Sequence, residues 1–306
     1  MRLVAVVVSH NRRAQLETTV RRLLAEPCDR VIVVDNVSTD GSRDWLAAEG
    51  DPRLVALLPE ENLGGAGGFA AGMQLAVERY DPDWMVVMDD DARPEPGAIA
   101  AFLGADHPGA DAVAAAVYYP DGRICEMNRP SLNPFWHPGV FLKTLLGGGR
   151  MGFHIPDRDY QGPERRIEVA SFVGLFLARA TVARAGFPEA ALFLYGDDSI
   201  YTLGLSRAGM AIRFAPDIRF QHDCSTFAGA ARVYRPIWKV YYNYRNGLIL
   251  YRRAAGWLFW PALLVILPKW ALNGLRYGTG RRQFYRLLWC AVRDGILDRR
   301  NTIIDR

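Results

Sequence analysis

The sequence predicts an α/β fold: a mostly parallel sheet flanked by helices, followed by a helical, basic C-terminal appendage. Three observations carry this. Short apolar runs alternate with helix-period segments through the first hundred residues, as in the βα units that build a parallel sheet. The run Trp84-Met85-Val86-Val87-Met88 closes on Asp89-Asp90-Asp91, so three acids emerge at a strand's carboxyl end, where open α/β sheets place their ligands. The charge also divides sharply. Residues 1–229 hold 22 Lys+Arg against 30 Asp+Glu, a net of −8, whereas residues 230–306 hold 15 against 3, a net of +12.

The elements follow in order. Leu3–Val8 is a strand, and Leu16, Val20, Leu23 and Leu24 give Arg13–Glu26 helical spacing. Val31–Val34 is a second strand ending at Asp35-Asn36, Ser42–Ala48 a short helix, and Leu54–Leu58 a third strand. A glycine-rich turn then opens the helix Gly68–Tyr80, ahead of the strand Trp84–Met88. From about 120 to 163 the pattern loosens under Pro130, Pro134, Pro138, Gly147-Gly148-Gly149 and Pro163, which marks a long irregular insertion suited to a lid or acceptor loop. Order returns with the strand-like Glu168–Ala178, the helix Arg179–Ala185, a helix from Asp197-Asp198 through Ser206, and the strand-like Ala211–Ala215 before Phe220-Gln221-His222. No internal repeat is visible. The basic appendage begins near Val233.

Half the residues are apolar and 23% are charged, which places the chain among folded proteins. Cys28, Cys125, Cys224 and Cys290 lack paired spacing, which argues against a zinc knuckle or a disulfide framework and suits a reducing compartment. The apolar run at the N-terminus is too short for a signal peptide and ends in Ser9-His10-Asn11-Arg12 without a small-residue cleavage site. The basic tail carries Trp238, Trp257, Trp260, Trp270 and Trp289. Its stretch Trp257–Pro268 is too apolar for a nucleic-acid groove and shorter than the ~20 residues needed to span a bilayer. Seating in the interface of an anionic membrane surface, on the cytoplasmic face, is preferred over an ordinary core or oligomer helix.

Side chains two apart on an extended segment point the same way, so Asp89 and Asp91 can grip one cation while Asp90 faces elsewhere. Hard oxygen ligands suit Mg²⁺ or Mn²⁺, and these suit phosphate oxygens. A solvated acidic turn before Arg93-Pro94 is the plain alternative. Asp35, at the end of the second strand, can accept from a ribose hydroxyl or a base N–H; a turn or helix-capping role fits it equally. Asn62-Leu63-Gly64-Gly65-Ala66-Gly67-Gly68 precedes a helix, so the backbone can approach a diphosphate or sugar, or simply turn. The placement after the third strand, with no acid about 20 residues on, argues against a dinucleotide fingerprint. Asp197-Asp198 offers either a helix cap or a carboxylate that takes a proton from an attacking hydroxyl. His222 is either structural or an imidazole that would favour Mn²⁺ over an all-oxygen Mg²⁺ site.

These segments, in this order, resemble family 2 glycosyltransferases of the GT-A fold. The resemblance rests on Val6–Arg12, Val33–Ser42, Asn62–Gly68, Met88–Ala92, Gly196-Asp197-Asp198 and His222, and covers residues 3–225. The Gly-Gly-x-Gly-Gly run with the triple Asp is most similar to the branch of galactofuranosyl- and rhamnosyltransferases. The resemblance implies a Rossmann-like nucleotide-binding part over 1–118 and an acceptor part over 119–229, with 230–306 as the membrane-associating region. It implies that Ser9, Asn11, Asp35, Asn62, Gly64, Gly65, Gly67, Gly68 and Asp90 line the site of a UDP- or dTDP-linked sugar donor, with Asp35 on the base. It implies Asp89, Asp91 and His222 as ligands to Mn²⁺ or Mg²⁺, and Asp198, with Asp197 beside it, as the catalytic base of an inverting transfer. Ser199-Ile200-Tyr201 stands where an acidic residue often follows the pair, and Asp223 follows the histidine, so the acceptor pocket is not specified. The implied reaction moves galactofuranose from UDP-galactofuranose to a lipid-linked or polymer saccharide acceptor of a cell surface. The rivals are a rhamnosyltransferase using dTDP-rhamnose and, from another class, a non-catalytic nucleotide-sugar-binding scaffold.

Overall fold

Leu3–Ser9 forms strand β1 with every residue buried, as an almost unbroken Val run does when helices cover both faces of a sheet. The computed structural model of the protein describes residues 1–224 and 233–300. After β1 come helix α1 (Arg13–Leu24), β2 (Arg30–Asp35), α2 (Ser42–Ala48), β3 (Leu54–Leu57), α3 (Gly64–Tyr80) and β4 (Trp84–Asp89). These four strands lie parallel in the order β3-β2-β1-β4. The parallel register sets Ser9 opposite Asp35 and Val8 opposite Asp89, which brings three strand ends to one edge.

Helix α3 begins at Gly64, four residues before the expected start, so the glycine run is its first turn and not a loop ahead of it. The glycines there answer to packing. A Cβ on Gly72 would lie 2.5 Å from Val6 Cγ1 and 2.9 Å from Val34 Cγ2, and one on Gly68 would lie 2.6 Å from Val8 Cγ1. The helix therefore rests directly on β1 and β2 through a stripe that has no side chains.

The second half of the sheet is mixed. β5 (Ala92–Pro94), α4 (Ala98–Gly104) and β6 (Ala112–Tyr118) follow β4, then short helices α5 (Pro138–Lys143) and α6 (Gly149–Phe153) inside the insertion. β7 (Arg165–Ile167), β8 (Leu175–Ala178), α7 (Arg179–Ala185), α8 (Asp197–Arg207) and β9 (Ile212–His222) complete it. The order β4-β8-β6-β9-β5 continues the sheet, with β7 also on β9. Here β8 runs antiparallel to both neighbours, while β6 and β9 are parallel. Two expectations shift. Only the end of Glu168–Ala178 is strand, because Val169 N–H donates to the Ser131 carbonyl (3.0 Å) and Gly174 turns the chain at φ +67°. The strand placed at Ala211–Ala215 runs on through Phe220 to His222, eleven residues in all.

The C-terminal run Lys239–Ile296 is long and apolar enough, by length and composition, to cross a membrane. Gly256 and Gly278, at φ +56° and +51°, divide it into α9 (Lys239–Ala255), α10 (Phe259–Asn273) and α11 (Arg281–Ile296). α9 and α11 share a core of Val240, Tyr241, Tyr244, Phe284, Leu287 and Ala291. α10 buries only Phe259 and Leu263 well, and turns Trp260, Leu264 and Val265 outward. Residues 230–232 and 301–306 of the predicted basic tail lie outside the described residues.

Candidate active site

Strand register assembles the acidic cluster. β5 pairs antiparallel with the end of β9 so that Ala92 faces His222, and Asp223 N–H donates to the Asp91 carbonyl at 2.9 Å. That ladder carries His222, 131 residues away in sequence, to Asp91: Nε2 lies 3.0 Å from Asp91 Oδ1. Asp89, Asp91 and His222 each offer a ligand atom, all within 4.8 Å of one another. His222 Nδ1 sits 2.6 Å from Asn128 Oδ1, which can only accept, so Nδ1 donates and Nε2 is the nitrogen turned toward the carboxylates. Two carboxylates and one imidazole nitrogen fit a Mn²⁺-type ion well.

Asp90 points elsewhere, from the two-residue turn Asp90-Asp91 that joins β4 to β5 where an extended segment was expected. Its Oδ2 accepts from Ser9 Oγ (2.9 Å) and from the His10 N–H (3.4 Å). Arg12, to which the sequence reading gave no role, lies across the cluster, paired with Asp91 and 3.5 Å from Asp90 Oδ1. The electrostatics follow from this crowding. Burial pushes Asp89 well up, with the Asp91 charge adding to it. Burial also raises Asp90, to about 7, against the pull of Arg12. Asp91 is buried too, yet its hydrogen bond to His222 and the Arg12 guanidinium hold it below the usual carboxylate range. Burial opposes charge on His222, but the Asp91 and Cys125 contacts outweigh it and push the imidazole up to about 10.

On the neighbouring strand, Asp35 is fully buried. Its Oδ1 accepts from Ser38 N–H and from Arg43 Nε, both at 2.9 Å, while Oδ2 is buried with no hydrogen-bond partner. A buried acceptor without a donor is costly unless a ligand supplies one. Asn11 and Asn62 do local work: Asn11 Oδ1 accepts from Thr39 N–H (2.7 Å), and Asn62 Oδ1 from Gly64 N–H (2.8 Å). Gly64 has φ +69°, and a Cβ there would come within 2.2 Å of the Phe193 carbonyl. Gly67 and Gly68 are likewise crowded, whereas Gly65 faces open space.

The second acidic pair opens α8 after Gly196, itself at φ +73°. A helix N-terminus favours carboxylates there. Burial still raises both: Asp197 to about 7, helped by the charge of Asp198, and Asp198 against donation from the Ser199 and Phe172 N–H groups. Asp197 is the more buried, and its charge adds to the upward push on Asp89, so the two acidic clusters lie within electrostatic reach of each other.

Sequence reasoning missed Arg12, Arg43 and Asn128. Arg12 stood inside the Ser-His-Asn-Arg turn, so its place at a strand end was a usable signal; Asn128, in the proline-rich insertion, had none. Nor did the spacing of the cysteines reveal that Cys125 and Cys224, both free thiols, bring their sulfurs within 3.8 Å of each other behind His222.

A parallel half whose strand ends bring a triple Asp and a histidine together, continued by a mixed half, is the architecture of the GT-A fold. Solved structures share the fold. GalNAc-T7 with UDP, GalNAc and Mn²⁺ aligns with a TM-score of 0.56 and 12% identity over 82% of this chain and 47% of that one. The mannosyltransferase PcManGT of Pyrobaculum calidifontis, with GDP-Man and Mn²⁺, aligns at 0.53 and 15% over 97% and 87%. Residues 4–161 match Glycosyl transferase family 2. Galactofuranosyltransferase GlfT1 of Mycolicibacterium smegmatis is 28% identical over 94% of both chains, and that of Mycobacterium tuberculosis 32% over 72% of this chain and 70% of the relative. The chain belongs to glycosyl transferase family 2, in its galactofuranosyltransferase branch, and is a glycosyltransferase.

Proposed function

We propose that the protein is an inverting, metal-dependent galactofuranosyltransferase that takes UDP-galactofuranose as donor and a lipid-linked saccharide as acceptor. The observation that carries this reading is the meeting of Asp89, Asp91 and His222 within one ligand sphere, with the Asp197 charge in electrostatic reach of Asp89. Asp89, Asp91 and His222 would hold the cation, whose chemistry is to neutralise charge on the departing diphosphate. Asp35 Oδ2 accepts the N–H of the uracil ring, which gives that buried oxygen its donor. Ser9 and Arg12 hold Asp90 toward the donor's sugar portion, and Gly65 leaves room for its approach. Asp198 takes the proton of the acceptor hydroxyl as the new bond to the anomeric carbon forms and the bond to the diphosphate breaks, inverting the centre. Base catalysis of this kind supplies ~10²–10⁴-fold.

The outer face of α10 supports a membrane-borne acceptor. Trp257 and Leu264 are each 78% exposed, and Trp260 and Val265 lie beside them. A contiguous apolar face on a basic unit suits the headgroup boundary of an anionic bilayer. At 15 residues, α10 is about 22 Å long, short of the ~30 Å hydrocarbon core, so it lies along the cytoplasmic face of the membrane.

Thermal shift and nucleoside-diphosphate-release assays across UDP-galactofuranose, UDP-galactopyranose and dTDP-rhamnose, with Mn²⁺ and with EDTA, test the reading. Turnover confined to UDP-galactofuranose with metal is the expected result. Turnover of dTDP-rhamnose alone would move the protein to the neighbouring branch, and full turnover in EDTA would remove the metal from the mechanism.

A further inference from the structure

We propose that Arg245 and Asn246, on the C-terminal helix α9, are positioning residues for the Asp197-Asp198 pair. They hold residues 191–196 in the shape that presents those carboxylates to the cleft. The inference rests on the reading of that pair as the base, and it gives the C-terminal unit a part in the chemistry beyond any surface seating.

The segment before the pair is bent in an unusual way. Phe193 and Tyr195, neither of them glycine, stand at φ +64° and +69°, and Gly196 follows at +73°. Such residues persist only where their surroundings over-determine them. Here the surroundings are α9. Arg245 is fully buried, and its Nη2 donates to the carbonyls of Ala191 (3.1 Å) and Leu192 (2.8 Å). Asn246 Nδ2 donates to the carbonyls of Leu192 (2.9 Å), Leu194 (2.9 Å) and Tyr195 (2.8 Å).

The orientation of that amide is dictated by its neighbour. Arg245 Nε donates to Asn246 Oδ1 at 2.9 Å. The flipped amide would set an oxygen against three carbonyl oxygens and an NH₂ against a guanidinium, so only one orientation is compatible. The Arg245 charge is spread over backbone carbonyls, that of Arg300 included (3.2 Å), and over the faces of Tyr241 and Tyr242, 5.2 and 5.1 Å away. On its other side the segment is tied to the donor half: the Phe193 carbonyl accepts from Ala66 N–H in the first turn of α3, at 3.2 Å. The loop thus spans from the donor-side helix to α9 and ends where Asp197 begins. A buried guanidinium and amide whose terminal NH₂ groups are directed at main-chain carbonyls fix a backbone path, which simple apolar packing of α9 would not require.

The test uses the full chain and Asn246→Ala, Asn246→Asp (same shape, no donors) and Asn246→Ser (one donor kept). Release of the nucleoside diphosphate (UDP or dTDP) is measured with whichever of UDP-galactofuranose or dTDP-rhamnose the wild type turns over, beside UDP binding with Mn²⁺ by calorimetry. The expected result is a fall in kcat of about tenfold or more for Ala and Asp and less for Ser, from the loss of aligned geometry. Donor KM and UDP affinity stay within about twofold. The acidic limb of the pH profile also moves, and Asn246→Ala costs nothing further in an Asp198→Ala or Asp197→Ala background. Unchanged kcat, equal weakening of UDP binding and turnover, or a full multiplicative loss in both Asp backgrounds would each overturn the proposal. Wild-type turnover in Asp198→Ala and Asp197→Ala themselves would sink the base reading instead, whatever Asn246 does.

Discussion

The donor half and the C-terminal helical unit both hold a carboxylate cluster's surroundings in place, and they do it by opposite means. In the donor half the backbone does the work. Parallel register aligns Ser9 with Asp35 and Val8 with Asp89, the β5–β9 ladder brings His222 to Asp91, and a side-chain-free stripe lets α3 lie on β1 and β2. In the C-terminal unit side chains do it: Arg245 and Asn246 reach out of a helix and bind the main chain of a distant loop. Geometry set by a ladder is hard to disturb with one substitution, whereas geometry set by two side chains depends on each of them.

The largest effect falls in the half built by strand ladders, at Asp91. Asp91→Ala should reduce UDP affinity measured with Mn²⁺ by about 100-fold or more, to the value found in EDTA, since a ligand is lost and not merely its support. Calorimetry checks it. In the wild type, Asp89 raised by burial and His222 raised to about 10 must shed protons to take a cation, so Mn²⁺ affinity should rise with pH from about 6 to 9. Affinity that is flat across that range would remove the cation from these residues.

A smaller effect belongs to the helical unit. Trp260→Asp with Leu264→Asp should lower sedimentation with anionic vesicles by about tenfold or more, given ~1.5–3 kcal/mol for each large apolar side chain buried. UDP binding in solution should stay unchanged. Equal partitioning of variant and wild type would mean that a partner, and not a lipid surface, covers this face. The smallest effect is one of packing. Gly72→Ala sets a Cβ against Val6 and Val34 and should cost ~1–3 kcal/mol, seen as a drop of a few degrees in Tm with turnover per folded molecule retained. An unaltered Tm would show that α3 can lift from the sheet at no cost.

The comparison also explains what the sequence revealed. The alternation of Val-rich strands with amphipathic helices announced the parallel half, and Asp35, Asp89 and Asp91 were legible because two of them end strands and the third stands in the turn just beyond β4. His222 was legible through the family resemblance and not through any local pattern; its meeting with Asp91 depends on β9 being six residues longer than Ala211–Ala215 suggested and pairing with three-residue β5. Short strands and long-range registers leave little periodicity to read. The Gly64–Gly68 run was seen, but its packing on the sheet and against the Phe193 carbonyl was not, since a glycine cluster looks the same whether a ligand or a neighbouring strand needs the space. Arg245 and Asn246 gave no sign at all. In sequence they are an ordinary polar pair on a tyrosine-rich helix, and only the fold shows three carbonyls converging on one amide.

The lone oxygen of Asp35 has a consequence for discrimination among pyrimidines. Arg43 and Ser38 engage one oxygen of the carboxylate, and the other is buried with no hydrogen-bond partner. A ring that brings an imide hydrogen, as uracil and thymine do, fills that gap. Cytosine brings a second lone pair instead, at a penalty of ~1–3 kcal/mol for the acceptor left facing it. With the base placed as proposed, such a contact would reject cytidine-linked sugars while leaving the choice between uridine and thymidine to other residues.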